Sequence, residues 1–389
     1  MISISRLLCD GVSPGDNLRY RERPLNHAEE SPRPVVVWNC TRQCNLSCVH
    51  CYASADNRKS SDEMDTRAGK AFIHDLAEFG VPVVLFSGGE PLMRRDFFEL
   101  ADYARQQGLR IALSTNGTLI TREVAGIIGN IGFAEAGISL DGIGANNDRF
   151  RGREGAYQAA LNGIRNCIDL GLRVSLRLTI TRSNYQEIPE ILQLVEDEKI
   201  DRVCFYHLAY SGRGSSLQNE DIDHSQTRSV VDLICERTQD MYRRGLHKEI
   251  LTVDNHTDGV YLYLKTREQD SPRADKILGL LKMNGGNNSG IRIGAVDDRG
   301  NVHPDQFWWH YKLGNVQERK FGEIWSDTSE PLLQGLRNRK KLLKGRCSRC
   351  QYLDICNGNL RVRAEAVFGD VWAEDPACYL TDEEIGLVK

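Results

Sequence analysis

Three cysteines within eight residues constrain this chain more than any other feature. The stretch Cys44-Asn-Leu-Ser-Cys48-Val-His-Cys51 spaces its thiols C-x3-C-x2-C, shortly after a β-branched run at 35–38. Clustered thiols in a reducing compartment serve metal or iron–sulfur ligation rather than disulfides. A set of three also differs from a set of four. Four thiolates close a centre and suit structure or electron transfer, whereas three on a [4Fe–4S] cluster leave one iron open to a further ligand. A zinc site is the alternative. Cys40, four residues before Cys44, falls at the end of the predicted strand and reads as a spare thiol.

The remaining thiols are of two kinds. Cys347, Cys350, Cys356 and Cys378 gather near the C-terminus, enough to close a second site around zinc or a [4Fe–4S] cluster. Cys9, Cys167, Cys204 and Cys235 are scattered and read as plain buried thiols.

Between 35 and 211, β-branched runs alternate with helical patterns. Strands are predicted at 35–38, 83–86, 110–114, 137–140, 173–180 and 202–206. Helical stretches between them repeat apolar residues at three- and four-residue steps, as in Ala68, Ala71, Phe72, Leu76 and Phe79 before Gly80. Six strand–helix units predict an α/β fold, a partial (β/α)6 barrel of the TIM type, whose active sites lie at the carboxyl ends of the strands. Around this barrel the sequence divides into an N-terminal extension at 1–34, a helical connector at 212–290 and a small cysteine-bearing domain at 291–389.

Composition excludes several functions. With 50 Lys plus Arg against 54 Asp plus Glu, the net charge of −4 lacks the basic surplus of a nucleic-acid binder. No run of about 18 apolar residues predicts a membrane span, and the first residues do not resemble a secretory signal. A cytoplasmic location is expected.

Further motifs fall at the predicted strand ends in chain order. Ser87-Gly88-Gly89-Glu90-Pro91 follows the second strand, and Ser114-Thr115-Asn116 the third. Ser139 and Asp141 end the fourth, and Arg177 lies on the fifth. Each alone is an ordinary turn, helix cap or ion pair. Together with the cysteine spacing they resemble the radical S-adenosylmethionine (radical SAM) superfamily. The resemblance implies that Cys44, Cys48 and Cys51 hold a [4Fe–4S] cluster. It places Gly88, Gly89 and Glu90 at the methionine end of S-adenosylmethionine, with the Glu90 carboxylate on its amino group. Ser114, Asn116, Ser139, Asp141 and Arg177 are the implied ribose and carboxylate contacts, and the His50 backbone the adenine contact. The implied chemistry is reductive cleavage of S-adenosylmethionine and hydrogen abstraction by a deoxyadenosyl radical, driven by a low-potential donor such as ferredoxin or flavodoxin.

The C-terminal cysteines resemble the SPASM/Twitch extension of that superfamily. This implies one auxiliary [4Fe–4S] cluster on Cys347, Cys350, Cys356 and Cys378, hence two clusters in all. In Gly300-Asn-Val-His-Pro304-Asp305, Asp305 stands where many SPASM sequences carry a cysteine. Segments 2–5, 17–20, 35–39, 303–307 and 354–380 resemble the tetrapyrrole-modifying branch. That implies an iron tetrapyrrole substrate and removal of two acetate side chains from 12,18-didecarboxysiroheme, giving iron-coproporphyrin III for heme biosynthesis. Propionate removal towards heme d1 is the near alternative; peptide maturation and non-enzymatic electron carriage are more distant ones. Arg149, Arg151, Arg153, Arg361 and Arg363 are candidate partners for substrate carboxylates. Phe307, Trp308, Trp309 and Tyr311 are candidates for its ring, and His303 or His310 for its iron.

Overall fold

The structure, a computed structural model, describes residues 1–20 and 33–388; the rest of the expected N-terminal extension, residues 21–32, lies outside the described residues. All six expected strands form. After a short β1 (Ile2–Ser3) come β2 (Val35–Thr41), β3 (Val84–Gly88), β4 (Ile111–Thr115), β5 (Ala136–Ser139), β6 (Val174–Ile180) and β7 (Arg202–His207). From β2 to β7 each pairs in parallel with the next.

The sheet continues past these six on both sides. β8 (Glu249–Val253) lies parallel to β7, and β9 (Ile293–Val296) lies parallel to β2 on the opposite flank. β1 pairs antiparallel with β8, while β10 (Asn301–His303) and β11 (Gly314–Asn315) extend the β9 edge antiparallel. The order β1-β8-β7-β6-β5-β4-β3-β2-β9-β10-β11 does not close on itself, so the barrel stays open. β8 arises within the stretch expected as a helical connector. That stretch does hold the helices His224–Arg243, Thr257–Gln269 and Ser271–Asn284, but the five residues Glu-Ile-Leu-Thr-Val between them pair with β7.

Covering helices follow the sequence signals. Asp65 caps Thr66–Phe79 by accepting from the Ala68 N–H, and Gly80 ends it at φ 80°. Its Phe72 meets Trp38 of β2 edge-on at 5.3 Å, and Trp38 lies 5.4 Å from Phe86 of β3. Each such ring contributes on the order of 2 kcal/mol by leaving water. That packing fixes β2, and so fixes where its carboxyl end releases the chain. Among the described residues no helix is long and apolar enough to cross a membrane.

At the opposite end of the barrel, buried Glu249 on β8 gathers three arginines. Arg173 and Arg202 donate at 2.6 and 2.7 Å, Arg19 pairs with it, and the Ser13 hydroxyl donates at 2.6 Å. This cluster ties the first residues to β6, β7 and β8. Replacing Glu249 by Ala leaves buried cations uncompensated and should destabilise the protein by about 3 kcal/mol. The shift of the urea midpoint measures this, and a change below about 1 kcal/mol would contradict it.

Candidate active site at the mouth of the barrel

β2 delivers the chain into residues 42–55, a loop with almost no regular structure, so its backbone groups find partners elsewhere. The Cys44 N–H donates to the Asp56 carbonyl (2.7 Å), the Ser47 N–H to that of Arg151 (3.1 Å) and the Val49 N–H to that of Phe150 (3.0 Å). Three guanidiniums grip its carbonyls: Arg42 on Ala53 (3.1 Å), Arg213 on Cys48 and Ala55 (both 2.8 Å), and Arg153 on Asn45 (3.5 Å).

Cys44 and Cys48 are buried and Cys51 half-buried in one small cluster with Leu46, Ala53 and Ala55. Cys40 belongs instead to the main barrel core. Donors surround the three thiols. The Leu46 N–H reaches Cys44 Sγ at 3.4 Å, the Ala55 N–H reaches Cys51 Sγ at 3.4 Å, and Arg151 Nη1 lies 3.6 Å from Cys48 Sγ. Such donors stabilise thiolates and tune a cluster bound to them. Burial pushes the Cys44 thiol up to about 12.

Gly88 and Gly89 close against this loop. A methyl group on Gly88, whose φ is +133°, would run into the Thr41 carbonyl, and one on Gly89 into that of Gln43. The contact is cemented by Gly89 N–H to Thr41 (2.7 Å) and Glu90 N–H to Gln43 (2.8 Å). Glu90 is fully buried, and its carboxylate accepts from Thr115 Oγ1 (2.8 and 2.9 Å), the Asn116 N–H (2.8 Å) and the Leu92 N–H (3.1 Å). Burial pushes it up to about 7. These bonds brace β3 against β4 through Glu90.

A cavity of about 150 Å³ opens over the carboxyl ends of β3 to β7. Of the expected cosubstrate residues, His50, Ser114, Ser139, Asp141 and Arg177 line it. Gly88, Gly89, Glu90 and Asn116 do not; Asn116 turns to the cysteine loop and donates to Asn45 Oδ1 at 2.8 Å. Asp141 accepts from the Thr179 N–H (2.6 Å), pairs with Arg151 and lies 3.7 Å from His50 Nε2. Desolvation pushes His50 down to about 4, which keeps the ring neutral. Arg177 Nη1 donates to Ser114 Oγ at 2.7 Å, in space left free by Gly137.

Several candidate substrate contacts are engaged otherwise. Buried Arg151 serves Asp141 and Cys48, and Arg149 and Arg153 are exposed. Arg361 binds the carbonyls of Gly358, Val371 and Ala373. Arg363 is clamped by Asp375 at 2.9 Å and donates to the Leu208 and Asp254 carbonyls. His303 uses Nδ1 on the Tyr311 carbonyl (2.7 Å) and lies 3.4 Å from Asp297, while exposed His310 pairs with Glu365. Phe307 does line the cavity; Trp308 does not, and is buried in the apolar cluster that Phe307 and Ala209 share. Tyr52, which bridges Asn39 and Ser87 at 3.1 and 3.0 Å, and Arg213 escaped sequence reasoning because their partners are remote in the chain.

Cys347, Cys350, Cys356 and Cys378 line one second cavity with Thr257, Arg346 and Asp375. Burial pushes the Cys356 thiol up, and the three neighbouring thiols push it further. Among the described residues no three Cys, His, Asp or Glu side chains converge tightly enough for one ion. Asp305 lies outside this cavity and accepts from Ser289 Oγ and the Phe307 N–H (2.8 Å).

A three-thiol loop at the open mouth of a parallel partial barrel defines a class. The radical SAM superfamily model matches residues 38–195, and the chain belongs to that superfamily, whose members use S-adenosylmethionine and a [4Fe–4S] cluster. The Fe-coproporphyrin III synthase of Methanosarcina barkeri is 55% identical over 395 residues, covering 99% of each chain. The pre-heme d1 synthase of Dinoroseobacter shibae is 43% identical over 370 residues, covering 94% of this chain and 91% of its own. Among solved structures, Streptococcus suis SuiB bound to its precursor peptide SuiA matches with a TM-score of 0.71 at 19% identity, covering 90% of this chain and 76% of its own. Native anSMEcpe with bound AdoMet and the Cp18Cys peptide matches with a TM-score of 0.68 at 17% identity, covering 92% of this chain and 96% of its own. At those identities the likeness concerns the fold.

The collision at Gly89 yields a prediction. Gly89→Ala should lose most S-adenosylmethionine cleavage, whereas Gly126→Ala, whose added methyl meets nothing within 4 Å, should retain it. Deoxyadenosine formation by chromatography compares them, and equal rates would contradict the packing role of Gly89.

Proposed function

We propose that this chain removes two acetate side chains from 12,18-didecarboxysiroheme, yielding iron-coproporphyrin III on a route to heme in the cytoplasm. The observation that carries this reading is the 55% identity, end to end, to an Fe-coproporphyrin III synthase. Removal of propionates towards heme d1 remains the second reading, on 43% identity to a pre-heme d1 synthase.

When bound, S-adenosylmethionine and the cluster supply a deoxyadenosyl radical that takes hydrogen from the substrate. In this reading Cys44, Cys48 and Cys51 ligate the cluster, and the Arg collar of the loop balances its negative charge. Ser114, Ser139, Asp141 and Arg177 offer polar contacts to the cosubstrate on the cavity wall, with His50 beside them. Gly88, Gly89, Glu90 and Asn116 complete the cosubstrate contacts in this reading, and they also fix the loop against β3 and β4. Val37, Leu85, Leu208, Ala209 and Phe307 give that cavity apolar wall beside the polar contacts.

Cys347, Cys350, Cys356 and Cys378 hold an auxiliary [4Fe–4S] cluster in residues 291–389. Four mutually influencing thiols that line one cavity, in the spacing of a SPASM/Twitch extension, favour an auxiliary [4Fe–4S] cluster over zinc. A low-potential ferredoxin or flavodoxin supplies the electrons.

Anaerobic incubation with S-adenosylmethionine, dithionite and 12,18-didecarboxysiroheme should give deoxyadenosine and loss of two acetates by mass spectrometry. Loss of propionates would move the enzyme to heme d1 synthesis; an untouched macrocycle would remove the tetrapyrrole reading. Reconstituted protein should carry about eight irons per chain. Cys44→Ala, Cys48→Ala and Cys51→Ala should each halve that and abolish deoxyadenosine, while Cys40→Ala should change neither. Iron content unaffected in the first three would overturn the ligand assignment.

A further inference from the structure

Resting on the tetrapyrrole reading of this site, one buried network still lacks a role. His207 ends β7 on the wall of the mouth cavity. Its Nε2 lies 2.9 Å from Asp258 Oδ2, and the other oxygen of that fully buried carboxylate accepts from the Tyr379 hydroxyl at 2.8 Å. A buried carboxylate costs several kcal/mol unless well partnered. This one is held by two groups, yet the network is incomplete at one end. His207 Nδ1 has no hydrogen-bond partner among the described residues. A brace within a core would occupy both ring nitrogens, as happens at His303. His207 leaves one to the cavity.

Position narrows what that nitrogen meets. Ser114 and Ser139, proposed for the cosubstrate, stand on β4 and β5, whereas His207 stands two strands further on, at the end of β7. It therefore faces the part of the cavity left for the substrate. A tetrapyrrole with acetate and propionate side chains offers two features to an imidazole, its iron and its carboxylates. With Nε2 fixed on Asp258, the free nitrogen is Nδ1, next to the carbon that carries the side chain, and a macrocycle plane brought onto it would strike Cβ. A slender carboxylate meets no such obstacle.

We propose that His207 holds a side-chain carboxylate of the tetrapyrrole through Nδ1–H, with Asp258 and Tyr379 orienting the ring. Each ring nitrogen then meets one carboxylate, Nε2 that of Asp258 and Nδ1 that of the substrate. His207 is a substrate-contact residue; Asp258 and Tyr379 are positioning residues that act through it.

Binding of 12,18-didecarboxysiroheme and of its iron-free ring to the reconstituted enzyme, followed by absorbance and fluorescence, tests this. His207→Ala should weaken both ligands alike, by about tenfold, the usual worth of a hydrogen bond to a charged group. His207→Gln, whose amide still donates, should recover most of the loss. Tyr379→Phe should weaken both slightly. S-adenosylmethionine affinity and iron content should be unchanged throughout. Loss confined to the iron-containing ring would make His207 an iron ligand and overturn the proposal. A fall in cofactor affinity or iron content would make it a structural brace, and unchanged binding would also refute the contact. If the wild type binds neither ring while still cleaving S-adenosylmethionine, the tetrapyrrole reading itself fails and takes the contact with it.

Discussion

The backbone of loop 42–55 has to be satisfied from outside, and much of the site's architecture follows from that constraint. A loop without helix or strand leaves N–H and C=O groups that are costly to bury unpaired. Here β3 supplies Gly89 and Glu90, residues 150–153 supply two carbonyls and a guanidinium, and Arg213 reaches in from beyond β7. Parts of the chain some hundred residues apart are thereby tied to the thiols. The glycines at 88 and 89 let β3 come close enough to bond, and Glu90 passes the restraint on to β4 through Thr115 and Asn116. The cysteine loop and the cavity wall are consequently one mechanical unit.

Charge follows the same plan. Three thiolates and a cluster would concentrate negative charge at the mouth, and four arginines, Arg42, Arg151, Arg153 and Arg213, bond to the loop that would bear it. Arg151 does this while paired with Asp141, so a single guanidinium links a candidate cluster ligand to the cavity wall. At the C-terminal site Arg346 is comparable, with Nη1 3.3 Å from the Cys378 carbonyl. In each group a cation opposes the upward push that burial gives a thiol, Arg151 at Cys48 and Arg346 at Cys378.

What was legible in the sequence was local. The cysteine spacing, the six strands and the helix caps each depend on residues a few positions apart, and periodicity exposes them. β8 was hidden because five residues between long helices carry too little pattern, and only pairing with β7 makes them a strand. Arg151, Arg361 and Arg363 looked like ligands for substrate carboxylates because an arginine's side chain shows nothing of its partner. In the fold they meet Asp141, a set of backbone carbonyls and Asp375. Glu90 carried the right motif, yet the motif does not reveal that its oxygens turn to Thr115 and Asn116. His207, Asp258 and Tyr379 are 51 and 121 residues apart along the chain, a separation no sequence window spans.

In the proposed reading the three-thiol loop presents an open iron to S-adenosylmethionine at the barrel mouth. Electron paramagnetic resonance of the dithionite-reduced protein, recorded with and without S-adenosylmethionine, tests it most directly. The cosubstrate should shift the signal of one cluster, the shift should survive Cys347→Ala, and it should disappear in Cys44→Ala. A shift that vanished with Cys347→Ala and persisted in Cys44→Ala would contradict it.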